Sequence, residues 1–401
     1  MRNALARGMA AAAALACAAC GSAPPGAVTK CDTTALVPGA VKTDILFVVD
    51  DSGSMAAEQA NLATNFQVFI DALAASPVKN DFQIGITTTS VDRNVTAAGV
   101  TTLNGAFDGT VSACGGYAGH AYPAGALITV DAGTGLQVNG GNTRILSAAS
   151  PTLVQDFTRN VNVGVCGSGK EQGLRAARLA LSEPLLSGAN AGFLRAGSRL
   201  AVIVVSDAND CSDPGDGQGH PLVNPSDVPT CQQQAEQVAD FVQFLKGTLG
   251  GQARDVVVAT IAAVDPSTLQ PALCTGAGGT AENPAPRYVD FAAAFGTKSA
   301  VASICDASFA STLQTIAGLI ATQTVPLTEE PADWRLLAVS VARAAGSTAA
   351  CKVGLEGDAS AANADAVYAP PQAGRPASLT FQRGCRLAQG DDVHVQVLCA
   401  G

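Results

Sequence analysis

The sequence predicts an α/β fold: a mainly parallel sheet covered by helices on both faces, followed by a small C-terminal β-rich appendage. Three observations predict it. The continuous apolar runs Ile45 to Val49 and Leu200 to Val205 have the character of strands buried on both faces. Strand runs alternate with amphipathic helical patterns, which implies right-handed crossovers between parallel strands. From Val325 the texture changes to shorter runs punctuated by Pro326, Pro331 and Pro371.

The elements follow in chain order. After the first strand, Leu62, Phe66, Phe69, Ile70 and Leu73 fall at i, i+4, i+7, i+8 and i+11, which predicts a helix over 55–75. Alternating Phe82, Ile84 and Ile86 mark a strand over 81–88. The Gly-, Ala- and Thr-rich stretch from about 90 to 142 lacks periodicity and reads as a long insertion at one end of the sheet. Leu174, Ala177, Leu181 and Leu185 predict a helix over 171–185. A loop rich in Gly, Pro and Asp follows the strand 200–205, and a helix over 231–249 carries Val238, Phe241, Val242 and Leu245 on one face. A strand at 256–264, a helix at 287–295, a strand at 300–304 and a helix bearing Phe309, Leu313, Ile316 and Ile320 complete a domain over 41–325. Residues 328–401, with Cys351, Cys385 and Cys399 and the alternating Val393, Val395 and Val397, read as a small disulfide-stapled β-rich domain.

The 401-residue chain has a net charge of −10 and no basic run, which argues against nucleic acid as a partner. Residues 1–20 read as an export signal: Arg2 and Arg7 precede a short apolar core, Met9 to Ala16, too short to span a bilayer. Leu15-Ala16-Cys17-Ala18-Ala19-Cys20 resembles a bacterial lipobox, with Cys20 the favoured lipidated residue and Cys17 the alternative. Neither cysteine has Leu three residues before it, and an ordinary secretory cleavage near Ala19 is the other reading. Residues 21–40, with Pro24 and Pro25, form a tether. Setting Cys17 and Cys20 aside, the 12 cysteines leave an even set of ten, which suits disulfides in an oxidising envelope. Cys211–Cys231 is the favoured pair, because it closes the long loop between a strand and a helix.

The chemistry concentrates where the first strand ends. Asp50, Ser52 and Ser54 stand at i, i+2 and i+4, and Gly53 permits a tight turn that lets one carboxylate and two hydroxyls converge. Oxygen donors of this kind suit a hard divalent cation. A polar turn capping the next helix is the plainer alternative. Asp50-Asp51-Ser52-Gly53-Ser54 resembles the D-x-S-x-S signature of von Willebrand factor type A (VWA) domains. The resemblance implies a doubly wound, Rossmann-like sheet and a metal-ion-dependent adhesion site. It implies that Asp207, just after the strand 200–205, supplies the last loop's carboxylate, and that Ser168 stands where the family has a threonine; Glu171 is the alternative donor there.

From the resemblance come the functional expectations. The site would hold Mg²⁺, or Mn²⁺ or Ca²⁺, and leave one position for an Asp or Glu carboxylate of a protein partner. The chain would be a non-enzymatic, lipid-anchored protein of the bacterial envelope, at the outer membrane or cell surface, touching the membrane only through its anchor. Two rivals are a metal-free structural scaffold and a metal-assisted hydrolase using Asp50, Asp207 and Asp210. His120, His220 and His394 all fall in loops or the tail and form no nucleophile–base pair at a strand edge.

Overall fold

The computed structural model of the chain describes residues 41–76, 80–91, 93–97, 100–104, 123–130, 137–138, 143–213, 236–321, 323–327, 330–372, 376–388 and 391–397. The export signal, the tether, Cys17, Cys20, Cys231, His120, His220 and much of the 90–142 stretch lie outside these residues.

The larger sheet has six strands: β1 (Val41–Val49), β2 (Asn80–Thr88), β3 (Ile145–Ser147), β4 (Arg199–Val205), β5 (Val256–Ala262) and β6 (Ser299–Ser303). Their order is β6-β5-β4-β1-β2-β3. Strand β1 runs parallel to both β2 and β4, β5 is parallel to β4 and β6, and β3 is antiparallel to β2. The helices are α1 (Ala56–Ala74), α2 (Leu153–Val161), α3 (Gly173–Ala180), α4 (Val238–Lys246), α5 (Pro286–Ala293) and α6 (Ala310–Ile320).

The expectation of a doubly wound, mainly parallel, Rossmann-like sheet is corrected by this topology. The sheet is mixed, six smaller sheets stand apart from it, and the described residues hold only six α-helices. The cause is visible between β2 and β3. A parallel return needs a crossover of a dozen or more residues, usually a helix. Here the chain instead makes antiparallel pairs, 93–97 with 100–104 and 129–130 with 137–138, and comes back antiparallel as β3. A stretch rich in Gly and Thr has no apolar face from which to build that helix.

Strand β1 lies at the centre because its residues can go nowhere else: Ile45 through Val49 are each 0% exposed. Phe47 meets Phe69 of α1 and Phe157 of α2 edge-on, with ring centroids 5.9 and 5.1 Å apart. Helix α1 packs beside α2 and α6, and α4 packs beside α3 and α5. Asp44, buried in the same strand, accepts from the Arg195 backbone N–H at 2.8 Å and from its Nε at 2.7 Å. That pairing fixes the chain leading into β4.

The C-terminal residues form two further sheets. One joins β7 (Thr324–Pro326), β12 (Ser378–Phe381), β11 (Ala366–Ala369) and β10 (Val353–Leu355) in that order. The other joins β9 (Thr348–Cys351), β8 (Leu337–Ala342) and β13 (Asp392–Val397). Their alternate apolar residues, including Val339, Val341, Leu379, Phe381 and Val395, make a second core, and Val41 at the start of β1 belongs to it. Disulfides Cys351–Cys385 and Cys274–Cys305 span Cα separations of 5.9 and 6.0 Å. Cys166 and Cys211 are also disulfide-bonded. Among the described residues, no helix is long and apolar enough to cross a membrane.

Candidate functional site

Register places the site. Val49 pairs with Thr88 on one side and Val205 on the other, so Asp50, Thr89 and Ser206 emerge level at the carboxyl ends of three adjacent strands. The Asp50 N–H donates to Val205 O at 2.9 Å, which continues the ladder by one rung. The Asp50 carboxylate is then held from three directions. Ser206 Oγ donates to Oδ2 at 2.6 Å, while the Ser52 N–H and Thr89 Oγ1 donate to Oδ1 at 2.8 and 3.3 Å. Asp50 is wholly buried, and burial raises its pKa against the pull of these donors.

The turn carries the rest of the first loop. Ser52 and Ser54 bring their hydroxyls to 3.4 Å of each other, Ser52 buried and Ser54 half-buried. Gln59, one turn into α1, braces the loop by donating to Asp50 O at 2.9 Å and Gly164 O at 2.8 Å.

Asp207 follows β4 and is 0% exposed, yet neither carboxylate oxygen has a hydrogen-bond partner. Burial pushes its pKa up to about 8, and the charge of Asp50 adds to the shift; the Ser54 hydroxyl nearby works the other way. Thus Asp50, Ser54 and Asp207 share one electrostatic environment. Glu58 and Glu282 raise Asp207 further.

The middle loop divides its two candidates. The Ser168 N–H donates to Ser90 Oγ at 2.8 Å, and the Ser168 hydroxyl accepts from the Lys170 N–H at 3.0 Å. Ser90 Oγ in turn donates to Asp51 Oδ1 at 2.8 Å, so Ser168 is tied to Asp51 through Ser90. Glu171 is buried with Oε1 unpartnered, and its carboxyl is held well above the usual range by burial, then by Asp50 and Asp207. Asp210, in contrast, is committed: Arg287 Nε and Nη2 donate to it at 3.0 and 2.9 Å, and the Leu174 N–H at the start of α3 donates at 3.0 Å.

Several members of the site went unread in the sequence. Ser206 and Thr89 hold Asp50, Ser90 links Asp51 to the middle loop, and Tyr288 buries an unpartnered hydroxyl beneath them. Burial raises the Tyr288 pKa, with Asp210, Asp50 and Glu171 adding to it. The available signal was position: Thr89 and Ser206 each follow directly on a buried strand.

The donors fit a hard cation. Buried oxygens of Asp207 and Glu171 without partners lie close to Asp50, and no basic side chain among the described residues hydrogen-bonds to those atoms. Among the described residues, no set of three or more His, Cys, Asp and Glu side chains is arranged for a metal ion, so an ion here would depend on the serine hydroxyls as well. A cleft of about 330 Å³ opens beside Ser54 and is lined by Glu58, Thr280 and Glu282.

No family model matches this chain, and no curated protein matches it. Among solved structures it is similar to the pilus adhesin SpaC from Lactobacillus rhamnosus GG in its open conformation, at 13% identity and TM-score 0.36, over 90% of this chain and 39% of that one. It is also similar to proximal thread matrix protein 1 from the mussel byssus, at 12% identity and TM-score 0.29, over 72% of this chain and 48% of that one. The chain therefore spans less than half the length of either, and similarity at this level establishes no shared fold.

Proposed function

We propose that this chain is a non-enzymatic binding protein that captures a protein partner through a divalent cation held by Asp50, Ser52, Ser54 and Asp207, in the manner of the VWA adhesion site its D-x-S-x-S signature resembles. The observation that carries the reading is Asp207: a fully buried carboxylate facing a second one, with both oxygens unpartnered. Such an arrangement is costly without a compensating charge. Mg²⁺ or Mn²⁺ held by these residues would supply the electrophilic contact for an Asp or Glu carboxylate of the partner. In the chain's own residues, Ser206 and Thr89 orient Asp50, and Gln59 braces the loop bearing the two hydroxyls. Ser168 or Glu171 completes the set from the middle loop. Lipid anchoring through Cys20, or Cys17, in the bacterial envelope belongs to the same proposal, and metabolic fatty-acid labelling tests it.

Calorimetric titration of Mg²⁺ or Mn²⁺ into wild type and Asp50→Ala tests the site. Saturable binding in wild type that is lost in the variant supports it; equal heats in both refute it. The raised pKa of Asp207 favours one rival, a metal-free scaffold in which a neutral carboxylic acid stands where the cation would. Flat titrations at pH 8.5, above the Asp207 pKa of about 8, decide for that rival.

A further inference from the structure

At the opposite end of the larger sheet, the start of β1, the turn before β4 and the four-stranded C-terminal sheet enclose a cavity of about 560 Å³. That size is ordinary for a small-molecule site. Its wall carries four cations, Lys42, Arg199, Arg254 and Lys298, against two carboxylates, Asp255 and Glu356. In a chain of net charge −10 this is a local reversal of sign.

The cations are not equally committed. Asp255 is shared: Arg199 Nε donates to it at 2.8 Å and Lys298 Nζ at 2.7 Å. Arg254 has no acidic partner within ion-pair reach among the described residues. Its Nε and Nη1 are instead fixed by neutral acceptors, Leu249 O at 3.1 Å, Arg195 O at 2.7 Å and Ser198 O at 3.1 Å. The guanidinium is therefore oriented by neutral groups, while the buried Asp44, which accepts from Ser198 Oγ, acts on it electrostatically without a direct ion pair. Lys42 is exposed and likewise has no acidic partner among the described residues. Strand alternation puts polar groups on the facing wall: Ser378 and Thr380 of β12 line the cavity while Leu379 between them enters the second core.

We infer that this cavity binds a small molecule bearing an oxyanion, a carboxylate or a phosphate, with Arg254 and Lys42 as its charge partners and the β12 hydroxyls as further donors. An oxyanion matches the preset guanidinium, since Arg recognises both groups through paired N–H donors. The inference stands apart from the metal site, which lies at the other end of β1.

The test titrates the full chain by calorimetry, at constant ionic strength, with inorganic phosphate in one arm and gluconate in the other. Wild type is compared with Lys42→Glu and Asp50→Ala. Lys42 is exposed and has no acidic partner among the described residues, so reversing its charge breaks no ion pair. The expected result is saturable binding of at least one probe, weakened roughly tenfold or more in Lys42→Glu and unchanged in Asp50→Ala. Binding of phosphate alone, gluconate alone or both identifies which oxyanion the cavity takes. Absence of saturable binding in both arms, or equal affinity in wild type and Lys42→Glu, overturns the inference. Failure of metal binding leaves it standing.

Discussion

At Asp207 the stability of the metal-free chain and its readiness for a cation pull in opposite directions. Replacing it with Asn keeps the shape and removes a buried charge that faces Asp50. In EDTA at pH 8.5, Asp207→Asn should melt no lower than wild type, while the rise in melting temperature that Mg²⁺ gives wild type should vanish; differential scanning calorimetry reads both. The pH dependence has a definite sign. A carboxyl whose folded pKa is raised, here from 3.8 to about 8, stabilises the fold fully below its unfolded pKa and loses that contribution as pH rises through the folded value. The metal-free protein should therefore lose stability between about pH 4 and pH 8, and saturating Mg²⁺ should flatten the loss. A metal-free melting temperature that climbs across that window would overturn the raised Asp207 pKa as the controlling influence.

The loops between elements set how tightly the site is drawn together. Gly167 donates its N–H to Asp51 O at 2.6 Å, and a Cβ there would fall 2.1 Å from Asp51 Cγ. Gly169, two residues on, has open space around the same position. Gly167→Ala should cost about 1–3 kcal/mol, as overpacking does, and Gly169→Ala well under about 1 kcal/mol; urea denaturation compares them. At this scale the sequence was informative where periodicity was strong. The run Ile45 to Val49 marked the central strand, and the spacing of Leu62, Phe66, Phe69 and Leu73 marked α1, because burial on one face imposes that spacing. It was uninformative between β2 and β3, where short antiparallel pairs replace a crossover helix and reverse the edge strand, so the expected sheet topology failed there. The D-x-S-x-S turn was visible as a cluster of oxygen-bearing side chains because its members sit within five residues. Ser206, Thr89 and Tyr288 were not, since they meet Asp50 and its neighbours only through sheet register and the packing of α5.

At the scale of the molecule, the described residues gather into two cores, and the Cys351–Cys385 bridge closes a sequence separation of 34 within the second. Removing it by Cys351→Ser with Cys385→Ser should destabilise the C-terminal sheets by about 3–4 kcal/mol on chain-entropy grounds. Mg²⁺ binding should be unchanged, because every proposed ligand lies in the first core's sheet and loops; calorimetric titration of the double variant checks this. A common loss of both would mean that the two cores unfold as one unit.

Strand β1 begins in the second core at Val41 and ends at Asp50, so a single extended segment joins the appendage to the proposed ligand. It is gripped along its length by nine residue pairs with β2 and seven with β4. A mechanical load entering at residue 41 and leaving through a partner held at Asp50 would run parallel to that strand. The ladders on both flanks would then be sheared together instead of being peeled rung by rung, a geometry suited to a molecule whose two ends are tugged apart.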